Sequence, residues 1–284
     1  MPSTMQTILK DRPFSNTLRI AKIEQFQTGR SGGAFKIWST ENVAFKLRVC
    51  KTPGQAKELE KDILRLKDVF PQFYGRDQQY LLLKLISGEC LHWQFFVKHT
   101  SKSGEQKKQI CFKIGQLQGM ANKHICPGSP GEVDAIFHQR LNKLTQRHIL
   151  SKSEQKTLTQ TYHALRQKVA YAFCLDLRDS SFANYIHTES QVHFIDEEGL
   201  GQVKGIGIAQ CLRQLSYSTE PQMQIYKKSL LQGYQSVQPD LWNGDYLLLV
   251  SLLDQINRIY DRTYKSGRNI DKDLDRLRGF RIQI

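Results

Sequence analysis

The stretch Cys174-Leu-Asp-Leu-Arg-Asp179-Ser-Ser-Phe-Ala-Asn184-Tyr-Ile-His-Thr-Glu-Ser-Gln-Val-His-Phe-Ile-Asp196-Glu-Glu-Gly199 sets three polar residues at a spacing of five and then twelve positions: Asp179, Asn184 and Asp196. Asp196 closes the apolar run Val192 to Ile195, which reads as a short strand. A carboxylate that orients and deprotonates a hydroxyl, with an amide oxygen and a second carboxylate that hold a divalent cation on a triphosphate, is the set of groups phosphoryl transfer needs. Singly, each of these residues is equally well explained by turn chemistry, which favours Asp and Asn. His187 and His193 flank the segment without zinc-ligand spacing and read as strand and loop residues.

Upstream, short alternating segments are separated by turn residues. Leu18, Ile20 and Ile23 precede a glycine-rich break, Phe35, Ile37 and Trp38 follow it, and Val43, Phe45, Leu47 and Val49 alternate next. Gln72 to Tyr74 and Tyr80 to Ile86 complete an expected five-stranded antiparallel sheet, with a helix over Gln55 to Asp68 between the third and fourth strands. The glycine segment, Gly29-Arg-Ser-Gly32-Gly33, allows backbone N–H groups to approach a phosphate closely, although on its own it equally suits a hairpin turn. It is neither a Walker A sequence nor a dinucleotide fingerprint. Lys46 sits among apolar residues of the third strand, where a lysine needs an ionic partner or a phosphate. Glu60, on the polar edge of the helix, is the expected partner, with Glu58 as its rival; either residue alone also reads as a solvated surface charge.

After Ser87-Gly-Glu89 the pattern turns helical, which places a boundary near residue 87 and divides the chain into 1–87 and 88–284. Helices are expected over Lys113 to His124, Val133 to Leu150, Lys152 to Ala170 and, with breaks, from Ala209 to Tyr260, followed by a polar Asp- and Arg-rich tail.

Composition bounds the function. With 284 residues, 39% hydrophobic and 24% charged, the chain is long enough for a core without disulfides or metals, and its apolar runs are too short for a membrane helix. Six widely spaced cysteines contain no Cys-x-x-Cys pair, and the first residues lack an apolar signal segment, so a soluble, cytoplasmic protein with reduced thiols is expected. The net charge of +14 favours anionic partners: nucleotides, phosphorylated glycans, or peripheral contact with anionic surfaces. The cations are spread out and not interleaved with aromatics, which argues against a dedicated nucleic-acid platform.

The ordered set of glycine segment, lysine, helix glutamate, Asp-x4-Asn and strand-end Asp resembles the protein-kinase-like fold, most closely its aminoglycoside phosphotransferase-like small-molecule kinases. Val43-Ala-Phe-Lys46 resembles the strand that presents the nucleotide lysine, Leu59-Glu60-Lys-Asp-Ile-Leu64 the helix with its glutamate, Leu177-Arg-Asp179-Ser-Ser-Phe-Ala-Asn184 the catalytic loop, and Phe194-Ile-Asp196-Glu-Glu198 the metal-binding segment. Tyr80 to Glu89 resembles the hinge between lobes, so the backbone of Lys84, Leu85 and Ile86 is expected to receive adenine.

The resemblance implies a bilobal α+β protein with a five-stranded antiparallel N-lobe and a mainly helical C-lobe. It further implies ATP covered by Gly29, Gly32 and Gly33 and positioned by Lys46 with Glu60, Mg2+ held by Asn184 and Asp196, and Asp179 as the base. The activity it implies is transfer of the γ-phosphate to a hydroxyl of a small molecule, which the positive charge turns towards an anionic sugar or glycan.

Departures from the pattern keep other readings in play. Asp176 competes with Asp179 as the base, but lies eight residues before Asn184, so it fits the loop only with a three-residue insertion. Leu177 stands where the loop usually has histidine, and no aspartate occurs between Gly199 and Leu215, which leaves a non-catalytic nucleotide-binding pseudokinase as one alternative. A protein Ser/Thr kinase is the other, although no Ala-Pro-Glu follows Asp196.

Overall fold

In a computed structural model the described residues are 7–8, 10–11, 13–26, 33–97, 102–239, 244–267 and 269–279. They fall into two compact units, Met1–Leu91 with Ala183–Glu198, and His92–Phe182 with Gly199–Ile284. The chain is therefore not cut once: it leaves the first unit after Leu91, returns for the segment around Asn184 and Asp196, and leaves again, where the sequence reading placed a single boundary near residue 87.

The first unit is built on strands Ile20–Gln25 (β1), Ala34–Ser39 (β2) and Ala44–Val49 (β3), helix Pro53–Arg65 (α1), and strands Phe73–Asp77 (β4) and Tyr80–Lys84 (β5). The sheet order is β1-β2-β3-β5-β4, antiparallel throughout. Alternation settles its two faces: Phe35 and Ile37 of β2, Leu47 of β3 and Leu82 of β5 are buried together with Ile8 and Ile23, so Lys36 and Lys46 point to the other side. Thr52 caps α1 through its hydroxyl and Pro53 begins the helix. The returning segment adds the antiparallel strands Tyr185–His187 and Val192–Phe194, the first of which also pairs with Glu89–Cys90.

The second unit contains helices Trp93–Val97 (α2), Gly104–Ala121 (α3), Pro130–Gln146 (α4), Lys152–Lys168 (α5), Ile206–Leu215 (α6), Gln222–Gln235 (α7), Gly244–Asp261 (α8) and Asp271–Gly279 (α9). Its core joins Phe137 and Leu141 of α4, Leu158 and Tyr162 of α5, and Leu249 and Ile256 of α8. Helices α3 and α7 pack so closely that a Cβ at Gly115 would collide with the Leu230 carbonyl, and one at Gly233 with that of Phe112.

Two expectations are corrected here. Helix α3 begins at Gly104, well before Lys113, because Ser103 and Gln106 form a capping box around a polar first turn that shows no apolar stripe. The C-terminal tail is helical because Leu274 and Leu277, three residues apart, are buried in the core and give α9 a narrow apolar seam. No described helix is long and apolar enough to cross a membrane.

Candidate active site

Within the first unit, β3 presents Lys46 to the chain around Asp196. Its ammonium donates to the Ile195 carbonyl at 2.6 Å and to both carboxylate oxygens of Glu197, at 2.7 and 2.9 Å. Both side chains are withdrawn from water, at 12% and 2% exposure, so removing either would leave the other a buried charge without its ionic partner. The expected Lys46–Glu60 pair is not formed. Glu60 accepts from Arg76 Nε at 2.5 Å, because α1 sets it beside β4, and its rival Glu58 pairs with Lys61 on the same helix. The acid that reaches Lys46 comes from the residue after Asp196.

Glu198 takes the next cation along the same strand. Arg48, two residues after Lys46 and therefore on the same face of β3, pairs with Glu198, to which Gln55 Nε2 also donates at 3.4 Å. Asp196 accepts from Asn184 Nδ2 at 3.2 Å and from the Glu198 backbone N–H at 3.3 Å, and the Ile195 N–H donates to the Asn184 carbonyl at 2.9 Å. Asn184 and Asp196 thus bring an amide and a carboxylate side by side, hard oxygen donors of the kind magnesium takes. Among the described residues no group of three His, Cys, Asp or Glu could hold a metal, so a bound ion would draw its remaining ligands from water and phosphate oxygens.

The other residues expected to meet a nucleotide are less constrained. Gly33 precedes β2 and its carbonyl accepts from Val49 N–H at 2.6 Å; a Cβ there would lie 2.8 Å from the Val49 carbonyl oxygen, so only glycine fits without a shift. Gly29 and Gly32 lie outside the described residues. Lys84 ends β5 with its N–H on the Gln72 carbonyl at 2.8 Å, and Leu85 and Ile86 follow it, half-buried and outside any strand.

Asp179 belongs to the second unit, in the loop after strand Phe173–Asp176, which pairs antiparallel with Gly201–Val203. It is exposed, and its N–H donates to the Gly199 carbonyl at 2.9 Å. Its rival Asp176 has no exposure at all: its carboxylate accepts from Gly205 N–H and Gly207 N–H, both at 2.8 Å, and from Asn122 Nδ2 at 3.1 Å. Burial pushes its pKa up to about 6, against the opposing hydrogen bonds. Asp176 ties the loop to the start of α6.

Apart from the Asp176 carboxylate, apolar and amide groups hold the loop. Leu177 is wholly buried as an apolar anchor; Gln210 and Gln214, one turn apart on α6, accept from Ser180 N–H at 2.7 Å and Phe182 N–H at 3.1 Å. Sequence reasoning missed Glu197, Glu198, Arg48, Gln210 and Gln214. The first three had a signal: Lys46-Leu-Arg48 puts two cations on one strand face, and Glu197-Glu198 supplies two acids after a buried strand.

No protein-family model and no curated protein matches the sequence. Solved structures are similar. The choline kinase LicA from Streptococcus pneumoniae aligns over 99% of this chain and 100% of its own, with TM-score 0.65 and 14% identity. This chain has the protein-kinase-like fold. The aminoglycoside phosphotransferase APH(2'')-Ib with ADP bound aligns over 98% of this chain and 96% of its own, at TM-score 0.60 and 14% identity. A point mutant of the aminoglycoside 2'-phosphotransferase-IIIa in its GDP complex aligns over 99% and 97%, at TM-score 0.63 and 12% identity. All three are small-molecule kinases, and the likeness extends through both units of this chain.

Proposed function

We propose that this protein is a phosphotransferase that moves the γ-phosphate of ATP to a hydroxyl of a small molecule, with Mg2+. The observation that carries the reading is the run Ile195-Asp196-Glu197, in which adjacent residues hold Lys46 and stand beside Asn184. Lys46 would bind the nucleotide phosphates, Gly33 would let the backbone approach them, and the chain at Lys84 to Ile86 would receive the base. Asn184 and Asp196 would hold the metal, which when bound neutralises charge on the transferring phosphoryl group. Asp179 would accept the proton of the acceptor hydroxyl as its oxygen bonds to phosphorus and the bond to the ADP oxygen breaks. Asp179 is preferred to Asp176 because it is exposed and Asp176 is not.

The acceptor of this reading is anionic, a phosphate- or carboxylate-bearing sugar or glycan. The support is local as well as global. Arg178 adjoins Asp179, and burial together with the Arg178 charge lowers the pKa of Arg140 on α4, with Asp261 opposing. Arg140 and Lys143 of α4 and Arg147, just past its end, lie over the rings of Tyr260, Tyr260 and Tyr264, at 5.1, 5.9 and 4.3 Å. The test is phosphate transfer from labelled ATP across a panel of anionic, neutral and cationic acceptors at rising salt. The reading expects transfer to anionic acceptors that falls steeply with ionic strength. Salt-independent transfer to a cationic acceptor contradicts the acceptor class, and nucleotide binding without transfer to any acceptor makes the protein a binding module.

A further inference from the structure

One cross-strand row of the first unit carries more charge than the nucleotide reading uses. Glu24, Lys36, Lys46 and Leu83 are direct partners across β1, β2, β3 and β5, so Lys36 and Lys46 stand opposite each other on the face turned away from Phe35, Ile37 and Leu47. Like charges directly opposite on antiparallel strands are destabilising, and such a pair persists where other groups offset it. For Lys46 the offset is Glu197. Lys36 enters no ion pair among the described residues, since its other neighbour, Glu24, is bound to Lys22 at 2.5 Å. Its ammonium lies 4.4 Å from the centre of the Trp38 ring, two residues along the same face, which restrains a long side chain without neutralising it.

We propose that Lys36 is a second phosphate-binding cation of the nucleotide site, acting beside Lys46 on the polyphosphate. The inference rests on the nucleotide reading above and deepens it. Lys46 shares its charge with a buried carboxylate, so the Lys46–Glu197 pair is close to neutral as a unit and fixes a position more than it supplies attraction. Lys36 brings the unshared charge. It also lies three residues after Gly33, the described end of the glycine segment, on the strand that this segment feeds. A phosphate oxygen between the two ammonium groups would turn their repulsion into shared attraction.

The test is calorimetric binding of Mg-ATP and of adenosine to the wild type and to Lys36→Met, Lys36→Arg and Lys61→Met. Lys36→Met is expected to weaken Mg-ATP about tenfold or more, a charge-assisted hydrogen bond's worth, while adenosine affinity stays within about twofold. Lys36→Arg should retain most of the Mg-ATP affinity. Lys61→Met should change it little, because Lys61 is exposed, paired with Glu58 on α1 and outside this row. Mg-ATP affinity unchanged in Lys36→Met overturns the proposal, as does an equal loss in Lys61→Met, which would mark general attraction by surface charge. A wild type that binds neither ligand overturns the nucleotide reading itself and this proposal with it.

Discussion

The two polar regions of this molecule are held in opposite ways. In the first unit the residues around Asp196 are fixed by charge: Lys46 on Glu197, Arg48 on Glu198, and Asp196 against Asn184. In the second unit the loop bearing Asp179 is fixed mostly by neutral contacts, the amides of Gln210, Gln214 and Asn122 and the buried Leu177, with one buried carboxylate, Asp176, on which backbone N–H groups converge. The difference fits the work proposed for each. A segment that receives a polyphosphate and a cation gains from charges already in place, since preorganised charges need not reorient when the ligand arrives. A loop that must keep one exposed carboxylate ready for a proton is better supported by groups that leave its charge alone.

The comparison can be broken at four points, taken from the largest effect to the smallest. Asp179→Ala should lower turnover roughly a hundred- to ten-thousandfold and leave the Kd for Mg-ATP almost unchanged, as expected of a base outside the charged segment; steady-state kinetics with calorimetry separates the two. Glu197→Gln should destabilise the protein by about 3 kcal/mol in denaturant unfolding, because it leaves the 12% exposed Lys46 without its carboxylate.

The third point concerns pH. Asp176 has its folded pKa raised from 3.8 to about 6, so the unfolded chain ionises first: its stabilising contribution is complete below about pH 4 and is lost as pH rises through about 6. That difference amounts to about 3 kcal/mol as an upper figure. The Tm of the wild type should therefore fall between about pH 4 and pH 7 relative to that of Asp176→Asn; parallel profiles would remove the buried carboxylate from the account. The smallest effect belongs to Glu60→Gln, at about 0.5 kcal/mol or less with nucleotide binding unchanged, because its pair with Arg76 is partly exposed. A large loss of nucleotide affinity in Glu60→Gln would restore the helix glutamate to the site.

These contrasts also explain what could be read from the sequence. The sheet was legible because β2 and β3 alternate cleanly and glycines or polar turns bound them. Lys46 was legible because a lysine among apolar strand residues asks for a partner, and Asn184 and Asp196 because their spacing is short. The partner itself was not. Helical periodicity puts Glu60 on a polar edge but says nothing of how far α1 lies from β3, and Glu197 is 151 residues away along the chain. Gln210 and Gln214 left no chemical signature, since exposed and loop-binding glutamines look alike in a sequence. The glycine segment stays a sequence argument at Gly29 and Gly32 and becomes a structural one only at Gly33.

The central claim is a nucleotide and magnesium site built on Lys46, Asn184 and Asp196. It is tested most directly by thermal unfolding of the wild type and Asp196→Ala with ATP, with and without Mg2+. Ligand that binds only the native state must raise the Tm. The account predicts a magnesium-dependent rise in the wild type that is lost in Asp196→Ala; no rise in the wild type at millimolar Mg-ATP, or an equal rise in the variant, would contradict it.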